Sequence, residues 1–395
     1  MAQNHSTTEL GKMLLRFVLE PDPMLAMLTW LCELLMEAEV DAKLAAGKSE
    51  RTDSRQGYRS GYRPRRFDTR LGTMYLMVPK LRQGGYIPFF VTARQRSETA
   101  LIEVIQEAFV NGVSTRKMEK LAQSLGIESL SHTQVSNMTK ELDEQVKLFR
   151  NRPLTQEYPI LWVDALYEDI RIDRRVRKMA VLVVCGVNSE GKRDILAIEP
   201  MMEESHGTYS QLFESLKDRG LKTPHLVVSD AHAGIRKAVS TCFLGASWQR
   251  CKVHFMRNIL CHIPSKNKEH VAARLKQIWL QPDEECARQM AQTLIEEWSR
   301  KYEKAVEILE AGLEDSLQFY HFKGIDPRKI SSTNVLERLN REIRRRTRVV
   351  SIFPNPASYV RLVTAYLMEY AEDWSTAKGY INHNKLEELI QAEQS

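Results

Sequence analysis

Apolar residues recur at helical spacing near the start of the chain: Leu10, Leu14 and Phe17, then Leu25, Leu28, Leu31 and Leu35 after Pro21 and Pro23. This spacing predicts a helical pair over residues 9–46, suited to packing or self-association. Residues 47–70 lose the pattern and read as a flexible link. From 69 to 92 the period becomes two, as in Thr73-Met74-Tyr75-Leu76-Met77-Val78, with Gly84-Gly85 as a turn, which predicts a small β element. Helical spacing returns from Ser97 to about Val146. One helix opens at Ser114 and runs to Leu125, where Gly126 ends it; another opens at Ser131-His132-Thr133, with Ser131 or Thr133 as N-cap. A helix, a glycine-containing turn and a second helix starting on short polar residues is a helix-turn-helix layout. Its second helix would present Thr133, Gln134, Ser136, Asn137 and Lys140 to a groove.

After Pro153 the pattern changes again. Tyr158–Val163 is an apolar run ending at Asp164, Met179–Val187 a β-branched run, and Asp194–Ile198 a third. Thr208–Leu221 has helical spacing. His225–Ser229 is a fourth strand ending at Asp230, a helix follows from Ala233, and Ala246–Lys252 suits a fifth strand. Residues 255–325 read as helical, and a strongly charged helix begins near Ser332. The order of three strands, helix, strand, helix, strand makes this part an α/β domain.

Length and composition refine this picture. A chain of 395 residues has room for two to three domains, and 43% hydrophobic residues suffice for their cores. The most apolar stretch, around Met24–Met36, carries Glu33 and falls short of the roughly 20 apolar residues of a membrane span. No basic-then-apolar leader opens the chain, so no membrane partner is expected. Six scattered cysteines fit a reducing, cytoplasmic setting better than a disulfide framework.

The net charge of +6 is unevenly spread. Arg51–Arg96 holds eleven Lys/Arg against Asp53 and Asp68, a local +9 that leaves −3 for the rest. Within it Arg55, Arg59, Arg63, Arg65 and Arg66 interleave with Tyr58, Tyr62 and Phe67, a composition suited to lying along phosphates. Arg338, Arg341, Arg344, Arg345, Arg346 and Arg348 form a second cluster with only Glu337 and Glu342 nearby. Two basic patches in one chain point to nucleic acid.

Asp164 and Asp230 each close an apolar strand, and strand ends in open α/β sheets are where ligand-bearing residues project. Paired carboxylates on adjacent strands can hold hard divalent cations. This strand order, with acids on the first and fourth strands, is how ribonuclease H-like nucleases build their sites. A third carboxylate would come from Glu337 or Glu342, which flank the Leu336, Leu339 and Ile343 stripe on opposite sides; periodicity does not choose between them. Cys251 and His254, with Cys261-His262 beyond, lack the spacing of the usual zinc fingers.

The segments ILWVDALYEDIR, LVVSDAHAGIRKAV, WQRCKVHFMRNIL and TNVLERLNREIRRRTRVVSIFPN resemble, in order, the motifs of mutator-type transposases of bacterial insertion sequences. The similarity runs from about residue 55 to 375. It departs where this chain has Ser351 in place of the family's usual glycine before IFPN. The resemblance implies a ribonuclease H-like catalytic core with an all-α insertion, preceded by a mainly helical DNA-binding region. The implied layout is an N-terminal helical region over 1–50, a basic arm and β element over 51–96, and a helix-turn-helix domain over 97–150. The catalytic core would occupy 151–258 and 326–375, the insertion 259–325 and a tail 376–395.

By motif match Asp164, Asp230 and Glu337 take the roles of a DDE triad, Glu337 ranking above Glu342 because it falls on the Glu of the family's N-x-x-E-R segment. Cys251 and His254 match a C-x-x-H pair near the site. The implied chemistry uses two Mg²⁺ ions (Mn²⁺ as substitute) roughly 4 Å apart, one activating a water or a DNA 3′-hydroxyl and the other stabilising the leaving oxygen. No nucleotide is required. The implied partners are double-stranded DNA, as terminal inverted repeats and target, and at least one further copy of the chain. A DNA-binding regulator or a stand-alone nuclease derived from such an enzyme are the competing expectations.

Overall fold

A computed structural model describes residues 15–83, 85–88, 90, 99–111, 113, 115–124, 127, 130–140, 142–350 and 352–392. Its contacts divide the chain into two units, Met1–Glu141 and Leu142–Ser395.

In the first unit a turn of helix at 15–18 precedes α1, Pro23–Leu44. Asp22 is the N-cap, its carboxylate accepting from the Leu25 N–H at 3.0 Å, and Pro23 occupies the first helical position, where its missing N–H is harmless. Helix α1 buries Cys32, Met36, Val40 and Leu44 against an antiparallel ribbon of β1 (Arg59–Thr69) and β2 (Gly72–Leu81), which contributes Phe67, Met74, Leu76 and Val78. The expected flexible link over 47–70 is therefore corrected from Arg59 onward, where the chain is a strand. Arg63, Arg65 and Phe67 pair with Val78, Leu76 and Met74, so arginine stems share a face with the apolar side chains of β2. Arg59, at the start of β1, is met by Glu37 and Asp41 of α1, which lie too far back in sequence for a local pattern to reveal.

Further along, α2 (Thr99–Val110), α3 (Thr115–Ser124) and α4 (His132–Thr139) enclose a small core of Leu101, Ile105, Met118, Ala122, Val135 and Met138. Ser131 starts α4 through a reciprocal capping box with Gln134. Thr133 and Asn137 are exposed on α4 and Gln134 is half-buried; the Ser136 side chain lies outside the described residues, as does Ser351.

The second unit begins with α5, Leu142–Arg150, not at 151. Arg361 holds that helix to the unit through a bidentate pair with Asp143, at 2.6 and 2.8 Å. Its sheet has the order β5-β4-β3-β6-β7, from β3 (Ile160–Ile172), β4 (Arg175–Val187), β5 (Arg193–Met201), β6 (Leu226–Ser229) and β7 (Ser247–Arg250). Strands β3, β4 and β5 are antiparallel neighbours, whereas β6 and β7 run parallel to β3. The β3–β4 hairpin turns on Asp173 and Arg174, both with positive φ, the conformation a two-residue type I′ turn requires.

Alternate strand positions face opposite sides. Leu161, Val163, Leu182 and Val184 pack under α6 (His206–Asp218) and α7 (Ala233–Cys242) through Phe213, Leu216, Ile235 and Phe243. Trp162, pointing the other way, is fully buried and donates from Nε1 to the Lys329 carbonyl at 3.2 Å, which makes it a core residue.

Helices α8 (Lys252–Leu260), α9 (Lys268–Ile278), α10 (Glu284–Trp298) and α11 (Glu303–Leu317) follow the sheet, and the one-turn α12 (Pro327–Ile330) leads out of them. The chain then returns in α13 (Asn334–Thr347) and α14 (Pro356–Thr376). The last residues are not a free tail: Tyr380 and Ile381 donate from their backbone to the Gly191 carbonyl, and α15 (His383–Ala392) follows. No helix among the described residues is long and apolar enough to cross a membrane.

Candidate active site

Strands β3 and β6 pair in parallel from Ile160–Leu226 to Val163–Ser229, so Asp164 and Asp230 are the next residue on each strand. Strand β3 does not end at Asp164, as the apolar run suggested; it continues to Ile172 against β4, and what ends there is its pairing with β6. The chain diverges at that point, and the two carboxylates face the gap. Asp230 is exposed, with one carboxylate oxygen accepting from the Ala231 N–H at 2.7 Å.

Helix α13 supplies the opposing wall. Leu336, Leu339 and Ile343 are its buried stripe, as the periodicity predicted, and Glu337, Asn340, Arg341 and Arg344 share the face beside it. Asp164, Glu337, Glu342 and Asn340 line a hollow of about 520 Å³ together with His254 and Arg257 of α8. Asp164, Asp230, His254 and Arg257 also line an adjoining hollow of about 380 Å³. Asp164 belongs to both.

The electrostatics reflect this convergence. Burial pushes the Asp164 carboxyl up to about 6, the nearby His254 opposes the rise, and the charges of Asp230 and Glu337 add to it. Glu337 stands 3.7 Å from His254 Nε2 and 3.8 Å from Arg257, contacts too long for hydrogen bonds. Glu342, which lines the same hollow, is instead bound to Arg345 at 3.1 Å and lies 3.6 Å from Arg346 on its own helix.

Cys251 is the N-terminal residue flanking α8, wholly buried, and its sulfur accepts from the N–H and hydroxyl of Thr333, each at 3.4 Å. Thr333 flanks α13 in the same way, so this contact ties the starts of the two helices together. Burial works against a Cys251 thiolate, but His254 and Thr333 outweigh it and hold the thiol below its ordinary value. The same interaction with Cys251 raises the His254 imidazole to about 9. Of the expected auxiliary pair, His254 lines the hollow, and Cys251 is bound to Thr333.

Sequence reasoning missed two groups here. Asn340 donates from Nδ2 to Asp164 Oδ2 at 2.7 Å, and only its place on a buried stripe could have marked it. Around Asp230, Glu204 accepts from the hydroxyls of Tyr167 and Tyr209 and lies 4.0 Å from His232 Nε2. His232 caps α7 by accepting the Gly234 N–H on Nδ1.

The basic candidates separate into two sets. Arg341, Arg344, Arg345 and Arg348 are exposed and line the larger hollow, and all but Arg345 make no ion pair among the described residues. Arg346 is turned inward, 3.6 Å over the Tyr366 ring. In the first unit, Arg59 is bound to Asp41 and Glu37, Arg66 to Asp68 at 3.0 Å, and Arg63 to the Tyr86 carbonyl at 3.3 Å. Arg55 bonds the Gly57 carbonyl at 2.9 Å and lies over the Tyr58 ring, while Arg65 also has a partner.

Among the described residues no three His, Cys, Asp or Glu side chains are gathered into a ready-made metal shell. The donors at the hollow nevertheless suit a hard divalent cation: Asp164, Asp230 and Glu337 offer carboxylate oxygen, and the Asn340 Oδ1 is buried with no hydrogen-bond partner. An orphaned acceptor beside clustered carboxylates is a place for positive charge.

The family described as "Transposase, Mutator family" matches residues 1–377. The chain is 38% identical over 391 residues to the transposase for insertion sequence element IS256 in transposon Tn4001 of Staphylococcus aureus, covering 98% of this chain and 100% of that one. It is 39% identical over 368 residues to the transposase for insertion sequence element ISRM5 of Rhizobium meliloti, covering 93% and 92%. It is 41% identical over 363 residues to the transposase for insertion sequence element IS1081 of Mycobacterium tuberculosis, covering 91% and 88%. With the match spanning both structural units, the chain belongs to the Mutator family of transposases.

Proposed function

We propose that this protein is the transposase of an insertion sequence, binding the element's terminal inverted repeats and cutting and transferring DNA strands with a DDE triad. The triad is Asp164, Asp230 and Glu337 on a ribonuclease H-like core. The observation that carries this reading is that Asp164 follows the β3–β6 pairing alongside Asp230 and feels the charges of both Asp230 and Glu337. Asp164 is shared by the arginine-lined hollow that holds Glu337 and the adjoining one that holds Asp230, and acids brought this near one another in a half-buried site oppose folding, which argues for a use other than stability.

Asp164, Asp230 and Glu337 would hold two divalent cations, Mg²⁺ or Mn²⁺, which when bound supply a nucleophile at neutral pH and stabilise the leaving oxygen. The chain's own residues do the rest. Asn340 fixes the Asp164 carboxylate in orientation. Arg341, Arg344 and Arg348, which make no ion pair among the described residues, receive the phosphates flanking the cut. Arg257 and His254 neutralise Glu337 until substrate and cations arrive. The three-helix cluster over α2–α4 would read the repeat as a helix-turn-helix, through Thr133 and Asn137 with Gln134 turned toward its cap. Two ends must be held together, so the active species is at least a dimer.

The test separates binding from chemistry. Asp164→Ala, Asp230→Ala and Glu337→Ala should each retain gel-shift binding to repeat-end DNA and lose both nicking and strand transfer into a target plasmid. Cleavage by the Asp164→Ala protein would overturn the assignment. Cutting without strand transfer by the unaltered protein would make it a nuclease.

A further inference from the structure

Helix α13 carries an asparagine where its own periodicity calls for an apolar residue. Asn340 follows Leu336 by four positions and Leu339 by one, and it is 6% exposed. Asparagine is a poor helix former because its side chain competes for nearby backbone groups. Among the described residues it makes no such bond: its side chain donates across to Asp164 Oδ2, at 2.7 Å.

The orientation of the amide follows from that partner. Turning it over would set a carbonyl oxygen against a carboxylate oxygen, two acceptors face to face. With Nδ2 on Asp164, Oδ1 is left buried without a partner among the described residues, and the residue lines the hollow shared with Glu337. A buried acceptor without a donor is rare in folded proteins, and it points to a group that arrives with the substrate or cofactor.

We propose that Asn340 has two roles in the site: its Nδ2 positions Asp164, and its Oδ1 is an oxygen donor to the divalent cation that Asp164 and Glu337 hold. The inference rests on the reading of those two acids as cation ligands. A side-chain amide carbonyl is a hard oxygen of the kind such cations accept. It adds a ligand without adding charge, in a place where a further carboxylate would raise the repulsion already acting on Asp164.

The experiment measures Mn²⁺ binding to the full-length protein without DNA, following free Mn²⁺ by electron paramagnetic resonance, with a thermal melt on each variant. Asp164→Asn and Glu337→Gln test the underlying reading: if both bind Mn²⁺ as the unaltered protein does, that reading fails regardless of Asn340. If they lose Mn²⁺, Asn340 is judged by two substitutions. Asn340→Leu should weaken binding about 10- to 100-fold. Asn340→Asp, which loses the donor to Asp164 but keeps an oxygen in place, should bind as tightly as the unaltered protein or tighter. Equal weakening in both would leave only the hydrogen bond to Asp164 and overturn the donor role. No weakening in Asn340→Leu would overturn it as well. Should Asn340→Leu fail to fold, Asn340→Asp decides alone, and weaker binding in it overturns the proposal.

Discussion

At the scale of single residues, the contact between Cys251 and Thr333 shows how a buried thiol ties together two helices that line the candidate site. The sulfur is fully buried, and both donors it receives come from the residue at the start of α13. Removing it leaves a backbone N–H and a hydroxyl buried without an acceptor, which costs about 1–3 kcal/mol for such groups. Cys251→Ala should therefore lower stability by about that amount in urea denaturation, whereas Thr333→Val, which removes the hydroxyl but keeps the N–H bond, should cost less. Equal losses would show that the hydroxyl carries the contact. Residue-level legibility follows the same line. Asp164 and Asp230 stand out in sequence because each follows an apolar run, which is a local signal even though β3 itself runs on past Asp164. Glu337 and Glu342 are symmetric about a helical stripe, and what distinguishes them lies on α8, some eighty residues earlier: His254 and Arg257 stand within 4 Å of Glu337, whereas Glu342 is paired with Arg345 and Arg346 of its own helix. Asn340 was overlooked because a buried polar side chain has meaning only once its partner, Asp164, is in place.

At the scale of elements, periodicity located most strands and helices but not what they pack against. The alternation of β2 was readable from Thr73 to Val78, yet its partner β1 looked like a link because its inward positions are arginines. Helix α11 shows the reverse case, where local preference and packing give opposite signs. Alanine is a better helix former than glycine by about 1 kcal/mol, so Gly312→Ala would stabilise an isolated helix. In the fold a Cβ at Gly312 would meet Arg250 Nη1 at 2.0 Å and the Phe255 ring at 2.8 Å. The Arg250 guanidinium is held 4.0 Å over that same ring and cannot simply swing away. Overpacking of this kind costs about 1–3 kcal/mol, enough to reverse the propensity gain. Gly312→Ala should thus be destabilised in equilibrium denaturation; a more stable variant would mean that α11 sits less tightly on β7 and α8 than the structure has it.

At the scale of the whole molecule, net charge says little until each arginine is assigned a partner. The Arg51–Arg96 stretch has the larger formal excess, but in the structure Arg59 is spent on Asp41 and Glu37 and Arg66 on Asp68. The arginines of α13 are fewer, yet Arg341, Arg344 and Arg348 line the hollow and make no ion pair among the described residues. If DNA crosses the hollow, these are the groups that displace its counterions. Each phosphate contact contributes about 0.9 to the slope of log binding constant against log salt. Arg344→Ala should therefore reduce that slope by about one in titrations with repeat-end DNA, with the melting temperature little changed. Arg59→Ala should do the opposite: leave the slope as it is and lower stability, because its loss leaves Asp41 and Glu37 facing each other without a counter-charge. A shallower salt slope for Arg59→Ala, with an unchanged melt, would return that arginine to the DNA-binding surface its sequence neighbourhood suggests.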